Sequence, residues 1–170
     1  DPAQIHFTVW VDESVPEVPY GELEAEVAAM TRSWQDRLTD ELGAVVARSD
    51  AVRLVESWAT RFPEYYTTST ALDIAAGDVQ QLEALSASER TSQVGVQNEA
   101  ATGRPDRLTR ISFYCKNGKR PLNELLPALV DLGLEVVEEV PTRVDHPDDY
   151  FIHDFGVVGP GRLLIDLDAT

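Results

Sequence analysis

The stretch RLTRISFYCKNGKRPLNELLPALVDLGLEVVEEV, residues 107–140, decides the fold of this chain. In its first part apolar residues occupy every second position, which predicts a strand with Ile111, Phe113 and Cys115 on one side. Asn117-Gly118 predicts a turn. Leucines at helical spacing then predict a helix, and Gly133 ends it. Alternation returns up to Val140. The pattern predicts a right-handed βαβ unit whose two strands are parallel neighbours.

The start of the central helix follows from Pro127. A proline deep inside a helix removes a hydrogen bond and clashes with the preceding turn. Asn123 as the N-cap would place Pro127 in the first turn and Glu124 near the positive end of the helix. We therefore expect the helix to begin at Asn123.

Composition excludes several classes of function. The 170 residues suffice for one compact domain or two small ones, and 43% are hydrophobic. The net charge of −16 argues against nucleic acid and against anionic membranes, and it suits a cytoplasmic protein. No apolar run approaches the ~20 residues that a membrane helix needs. The chain shows no signal peptide and begins without Met just before a predicted strand, as a fragment of a longer protein would.

Cys115 is the only cysteine, so the chain forms no internal disulfide and no thiolate metal cluster. Its place on the apolar side of the predicted strand favours a small core residue over a reactive thiol.

The first half of the chain is predicted to be mainly helical. A strand at Gln4–Val11 and a proline-containing linker at Asp12–Tyr20 precede three helices. The first helix, Gly21–Leu42, carries one apolar stripe: Leu23, Val27, Met30, Trp34, Leu38 and Leu42. The second runs from Gly43 or Asp50 to Arg61, with Val52, Val55, Trp58 and Phe62 on its buried side. Tyr65 and Tyr66 follow on a turn. The third helix spans Leu72–Leu85, with an interruption expected at Gly77.

The second half is predicted to be mainly strands. A short strand at Gln93–Gln97 precedes a loose turn at Ala100–Asp106. Beyond the βαβ unit, Tyr150–Val158 forms another strand, and Leu163, Ile165 and Leu167 predict a last short one. Helices followed by strands indicate an α+β fold rather than a doubly wound sheet.

No catalytic constellation is visible in the sequence. Dinucleotide, phosphate-loop and nucleophile-elbow motifs are absent. The three histidines, His6, His146 and His153, have no metal-ligand spacing. His153 and Asp154 are adjacent on a strand and point to opposite faces, so they do not form a catalytic pair. The acidic turn of Asp145, Asp148 and Asp149 is best explained as a solvated loop. We expect no catalytic, cofactor-binding or metal-binding residues.

The turn Lys116-Asn117-Gly118-Lys119-Arg120 is the one candidate ligand site. It places three cations and a glycine before a helix N-terminus, which favours carboxylates. The carboxylate of a free amino acid could bind there. A solvated turn that neutralises nearby acids is the alternative, and the residue pattern favours it.

Several stretches of the chain resemble known proteins. The βαβ unit with its glycine-containing loop resembles the ACT domain, a ferredoxin-like βαββαβ module that commonly senses amino acids. The chain also resembles the N-terminal regulatory region of the large bacterial NAD-dependent glutamate dehydrogenases. The segments that carry this resemblance are Trp58-Ala-Thr-Arg-Phe-Pro-Glu-Tyr-Tyr66, Asp78-Val79, Leu82-Glu83-Ala84-Leu85, Arg110-Ile-Ser-Phe-Tyr114, Leu125-Leu-Pro-Ala-Leu-Val-Asp-Leu-Gly-Leu134, Val136-Val-Glu-Glu-Val-Pro141 and Phe151-Ile-His-Asp-Phe155 with Gly156.

The resemblance implies a ferredoxin-like ACT-type sheet behind an N-terminal, mainly helical segment. Residues 1–90 would be the end of a preceding strand plus a helical connector, and residues 91–170 an ACT-like module. The parent oxidoreductase would convert L-glutamate to 2-oxoglutarate and ammonia with NAD, while this part would regulate or connect and would bind no cofactor. Its implied partners are the rest of the parent chain, another copy in a homo-oligomer, and a free amino acid.

One departure from the ACT pattern is visible. A complete module needs a second helix and a fourth strand, and only a short tail follows Tyr150–Val158. Either the module is truncated, or the strands at Gln4–Val11 and Gln93–Gln97 complete the sheet. The alternative function is a stand-alone ACT-like interaction or ligand-binding module unrelated to catalysis.

Overall fold

A computed structural model describes residues 20–98 and 107–167. The chain divides into two compact units, Asp1–Ser33 and Trp34–Thr170. In the first unit the structure describes one helix, α1, at Tyr20–Thr31. The Thr31 hydroxyl donates a hydrogen bond to the Val27 carbonyl in its last turn, at 2.9 Å.

The second unit contains five helices and four strands among its described residues. Two short 3-10 segments, Ala59–Arg61 and Pro160–Arg162, add to them. No helix in the described ranges is long and apolar enough to cross a membrane. The elements are α2 (Trp34–Gly43), α3 (Arg48–Trp58), α4 (Glu64–Ser69), α5 (Leu72–Ser86), β1 (Ser92–Asn98), β2 (Thr109–Cys115), α6 (Leu122–Asp131), β3 (Glu135–Val144) and β4 (Tyr150–Val158).

Several predicted elements of the first half differ from the structure. The single helix expected at Gly21–Leu42 is wrong, because the chain leaves the helix at residues 32 and 33. Ser33 precedes α2, at a position where serine favours a helix start. Gly77 does not interrupt α5, and Tyr65 and Tyr66 lie in α4 rather than on a turn. Three residues predicted on buried faces are exposed instead: Leu23, Val27 and Val52.

Other predictions concern the ends of the chain. The strand at Gln4–Val11, most of the linker at Asp12–Tyr20 and most of the turn at Ala100–Asp106 lie outside the described residues. The last short strand is wrong: Pro160–Arg162 is a 3-10 turn, and the residues after it, up to 167, pair with no strand. A tight turn with Gly161 at φ 72° ends the sheet there.

The sheet has the order β1-β2-β4-β3, and every neighbouring pair is antiparallel. β2 and β3 are therefore parallel, but β4 lies between them, so the prediction that they are neighbours is wrong. The physical reason is the five-residue turn after β3. It reverses the chain so that β4 pairs directly with β3, with Val144 opposite Tyr150. β4 is buried along most of its length, which suits a central strand.

Helices cover both faces of this sheet. On one face α2, α3 and α5 pack against the inward side chains of the strands, including Tyr114, Val144, Tyr150 and Ile152. On the other face α6 packs through Leu129 against Ile111, Phe155 and Val157. Each cluster removes apolar surface from water, at about 25 cal/mol per Å². The structure is thus an α+β fold with a sheet between two helical layers.

The helix α6 begins after a proline and ends at a glycine. Its N-cap is Pro121, with no side-chain cap, so the prediction of Asn123 as the N-cap is wrong. Pro127 lies inside the helix, where it leaves the Asn123 carbonyl without an N–H donor. Both residues are exposed, so water can bond that carbonyl. Gly133 ends the helix as predicted, at φ 76°, and donates to the Val130 carbonyl at 2.8 Å.

Candidate functional site

The predicted ligand turn is held by its own backbone. Asn117 and Gly118 both adopt positive φ, 67° and 109°, which confirms the turn. Their N–H groups donate to the carbonyls of Asp148 and Asp149, at 2.8 and 2.9 Å. Residues 116–120 are therefore joined to the β3–β4 turn, which is far from them in sequence.

Each of the three cations of this turn has a partner. Lys116 Nζ lies 3.4 Å from Asp148 Oδ2, and Arg120 NH1 lies 3.8 Å from Glu124 Oε2. Lys119 Nζ lies 5.4 Å from the ring centroid of Phe151, within cation–π range. The structure brings all five predicted residues together. An amino-acid carboxylate at this turn would have to compete with Asp148 and Glu124.

The β3–β4 turn is in contact with the helical layer. Asp145 and Arg61 exchange two hydrogen bonds: Asp145 N–H donates to the Arg61 carbonyl at 2.9 Å, and the Arg61 guanidinium donates to the Asp145 carbonyl at 3.1 Å. The His146 ring stacks on Trp58, with centroids 5.1 Å apart. Burial, together with the nearby Arg61, lowers the pKa of His146. The ligand turn is thus connected through 145–149 to the end of α3.

A buried carboxylate joins the helices to the sheet. Asp78 in α5 is 3% exposed and accepts hydrogen bonds from Tyr66 of α4, at 2.5 Å, and Tyr114 of β2, at 2.6 Å. Burial raises the pKa of Asp78 to about 6, while the two tyrosine hydroxyls oppose the rise. Burial and the neighbouring carboxylate raise the pKa of both tyrosines, so both remain protonated donors.

A second polar cluster lies on the same side of β2. The Arg110 guanidinium pairs with Asp154 of β4 and, at 2.5 Å, with Glu138 of β3. Ser112 donates to Asp154 at 3.0 Å. Gly156 leaves room for the ion pairs, since a Cβ there would lie 2.9 Å from the guanidinium and from the Glu138 side chain. Arg110 thereby joins three strands.

The opposite side of β4 holds His153. Its Nδ1 lies 3.1 Å from Glu139 Oε1, whereas Asp154 bonds Arg110 and Ser112. This confirms the prediction that His153 and Asp154 do not pair. Cys115, on the α6 side, is buried as predicted, and burial raises the pKa of its thiol. Among the described residues, no three His, Cys, Asp or Glu side chains are placed to share a metal ion.

A small cleft between α5 and β1 escaped prediction. It has a volume of about 50 Å³. Asp78, directly behind its wall, was the available signal, because an acid beside Val79 and Leu82 on an apolar helix face must find buried partners. The alternation along β2 predicts that Tyr114 points away from the face of Ile111 and Phe113. It gives no sign that a second layer of helices covers the Tyr114 face. The cleft is lined by Gly77, Gln81, Gly95, Val96, Gln97, Ser112 and Tyr114.

The fold defines the class of this region. Four antiparallel strands, with one helix crossing between two parallel strands that another strand separates, form a ferredoxin-like sheet of the ACT type. β1 occupies the sheet edge that a fourth ACT strand would occupy.

The comparisons with known proteins specify the family. Residues 94–170 match the family described as "Glutamate dehydrogenase, ACT3 domain". The chain is 28% identical over 168 residues to the NAD-specific glutamate dehydrogenase of Pseudomonas aeruginosa, covering 97% of this chain and 10% of that protein. It is 26% identical over 138 residues to the enzyme of the same name from Halomonas elongata, covering 79% and 8%. Residues 94–170 are thus similar to an ACT domain of glutamate dehydrogenase, and the chain as a whole is similar to NAD-specific glutamate dehydrogenases and spans about a tenth of their length.

The raised pKa of Asp78 makes stability depend on pH. Between its ordinary value of 3.8 and about 6, the folded chain keeps a proton that the unfolded chain has lost. The free energy of unfolding should therefore fall as pH rises through this range, by about 3 kcal/mol from this group. We expect urea unfolding at pH 4 and pH 7 to show this fall relative to Asp78→Asn, whose side chain does not titrate.

Asp73→Asn is the matched control, because Asp73 is an exposed acid on the same helix. The loss of stability between the two pH values should persist in this control. A difference between wild type and Asp78→Asn that is the same at both pH values would contradict the assignment.

Proposed function

We propose that this chain is a non-catalytic regulatory and architectural part of an NAD-specific glutamate dehydrogenase. The parent enzyme converts L-glutamate to 2-oxoglutarate and ammonia with NAD, in the cytoplasm. The observation that carries the proposal is the match of residues 94–170 to an ACT domain of glutamate dehydrogenase. Similarity over 97% of the chain to a dehydrogenase about ten times longer supports it over a stand-alone module.

The proposed division of labour follows the chain. Residues 1–90 comprise the end of a preceding strand and a helical connector, and residues 91–170 form the ACT-like module. NAD binds elsewhere in the parent protein. This part holds no cofactor, and its first partner is the rest of the parent chain.

The open edge of the sheet supports an architectural role. β1 is an edge strand, bonded to β2 on one side only among the described residues. Its Val94 and Val96 are 50% and 47% exposed and lie on the α6 side, opposite Phe113 and Ile111. An exposed apolar edge strand readily pairs with another strand. We propose that two copies associate through β1.

The connection of the ligand turn supports amino-acid sensing. The carboxylate of an amino acid at Lys116, Asn117, Gly118, Lys119 and Arg120 would replace Asp148 as the partner of Lys116. Asp148 belongs to the turn that contacts Arg61 and Trp58. Binding would thus alter the contact between this turn and the helical layer. Coupling of this kind needs a difference in affinity between two states.

Thermal unfolding with each of the twenty amino acids at millimolar concentration tests the sensing proposal. A ligand that binds only the folded chain raises Tm. We expect at least one amino acid to do so, and the paired substitution Lys119→Ala with Arg120→Ala to abolish the rise. Arg90→Ala, an exposed cation before β1, is the control and should keep it. No rise with any amino acid would remove sensing and leave only the architectural role.

Sedimentation equilibrium tests the pairing through β1. We expect the chain to dimerise, and Val96→Lys to raise the dimer dissociation constant at least tenfold, because charged side chains on an edge strand oppose pairing. Val52→Lys, the same change at an exposed position of α3, should leave the constant unchanged. A chain that stays monomeric at all concentrations, or an equal loss in the control, would contradict the pairing.

A further inference from the structure

We propose that the cleft between α5 and β1 binds a protonated amine, the –NH₃⁺ group of a small amine or amino acid or the ammonium ion itself. This site is separate from residues 116–120, and it does not depend on the proposed function. The shape of the cleft, the direction of its hydrogen bonds and the charges behind its wall all favour such a ligand.

Two glycines create the cleft. Gly77 lies in α5, one turn before Gln81, and Gly95 lies in β1, opposite Ser112 of β2. Glycine weakens both a helix and a strand. At Gly95 a Cβ would lie 3.1 Å from the Tyr114 ring, so glycine there lets that ring pack against β1. A Cβ at position 77 would meet only Gln97 Oε1, at 3.4 Å, so close packing does not require glycine there. The space left open is about 50 Å³, enough for a few water-sized groups.

The hydroxyl groups of the cleft are acceptors. Each hydroxyl has one proton and two lone pairs. Ser112 donates its proton to Asp154, at 3.0 Å, and Tyr114 donates to Asp78, at 2.6 Å. Ser112 and Tyr114 also share a side-chain hydrogen bond, which engages one lone pair, so the remaining lone pairs of the two oxygens are the ones open to a molecule in the cleft. A ligand there must therefore bring donors.

The amide side chains set the rest of the lining. Gln81 Oε1 accepts a hydrogen bond from Gln93, so that oxygen is already engaged. Gln97 Oε1 lies beside Gly77 at the cleft wall, and the Gln97 side chain forms no hydrogen bond with any other described residue. It adds a third acceptor to Ser112 and Tyr114. Three acceptor groups on the cleft lining suit the three N–H donors of an –NH₃⁺ group.

Charge behind the wall favours a cation. Asp78 and Asp154 lie directly behind the Tyr114 and Ser112 hydroxyls, and no side chain lining the cleft is cationic. Arg110 offsets Asp154, because it pairs with both Asp154 and Glu138. Asp78 forms no salt bridge with a described cation, although the charge of Arg110 favours its ionised form, and its carboxylate is ionised at neutral pH, since its pKa is about 6. The hydrogen bond to Asp78 polarises the Tyr114 hydroxyl, so the Tyr114 oxygen that lines the cleft becomes a stronger acceptor.

The test is a titration of the 170-residue chain with ammonium chloride, methylammonium chloride and glycine, with potassium chloride at equal ionic strength as the reference. Amide resonances of Gly95 and Gln97 report on the cleft, and Tm reports on binding to the folded state. We expect ammonium to shift both resonances and, at about ten times its Kd, to raise Tm by about 3–6 °C over potassium. Tetramethylammonium, which has no N–H donor, should do neither.

Gly77→Ala separates this cleft from other sites. A methyl group there enters the cleft, yet alanine favours the helix, so the variant should fold and gain stability. We expect it to abolish the ammonium response. Gly21→Ala, the same change in α1, with open space around it, should keep the full response.

The outcomes are distinct. Shifts with ammonium and methylammonium support the amine site, and shifts with glycine alone identify the amine of an amino acid as its source. An equal response to potassium, or an unchanged response in Gly77→Ala, overturns the proposal. A failure of the amino-acid screen at residues 116–120 leaves the ammonium and methylammonium titrations unaffected, because these are read at the amide resonances of Gly95 and Gln97 and are controlled by Gly77→Ala.

Discussion

The Asp78 carboxylate is the contact on which the rest of this structure depends. It lies in α5 and accepts one hydroxyl from α4 and one from β2, so a single buried group holds two helices to the sheet. Removing a carboxylate from water costs several kcal/mol, and hydrogen bonds to a charged group return about 1.5–3 kcal/mol each. The hydrogen bonds offset the cost of burying the Asp78 carboxylate only when Tyr66 and Tyr114 both donate to it. The helical layer is therefore specified by these two tyrosines as well as by apolar packing.

This arrangement connects both proposed ligand sites to the same helical layer. The cleft lies directly beside Tyr114, between α5 and β1. The turn at 116–120 reaches the helices by another route, through the 145–149 turn and the His146–Trp58 stack. The open edge at β1 lies at the far side of the sheet from β3. A helical layer that packs on an ACT-type sheet can thus respond to a ligand on the sheet, as the proposed regulatory role requires.

The sequence predicts local features of this fold better than its topology. Alternation over β2, the Asn117-Gly118 turn and the stop at Gly133 are all confirmed, because each depends on a few neighbouring residues. The prediction that β2 and β3 are parallel neighbours was wrong. The position of β4 between them depends on pairing between distant strands, which no local pattern encodes. Asn123 was a reasonable N-cap, yet Pro121 begins the helix and Pro127 is tolerated on its exposed side. The five residues of the predicted ligand turn lie together as expected, whereas the cleft was not predicted. Its glycines and hydroxyls are far apart in sequence, and the one signal, Asp78 on an apolar helix face, indicates buried partners rather than a cleft.

The most direct test of the central claim is NADH formation by the purified 170-residue chain with glutamate and NAD. Circular dichroism should first establish that the chain is folded. The full-length Pseudomonas aeruginosa enzyme under the same conditions is the positive control. We expect no NADH above the rate without protein, because the proposal assigns hydride transfer to another part of the parent. Turnover that scales with the concentration of this chain, after removal of contaminating dehydrogenase, would contradict it.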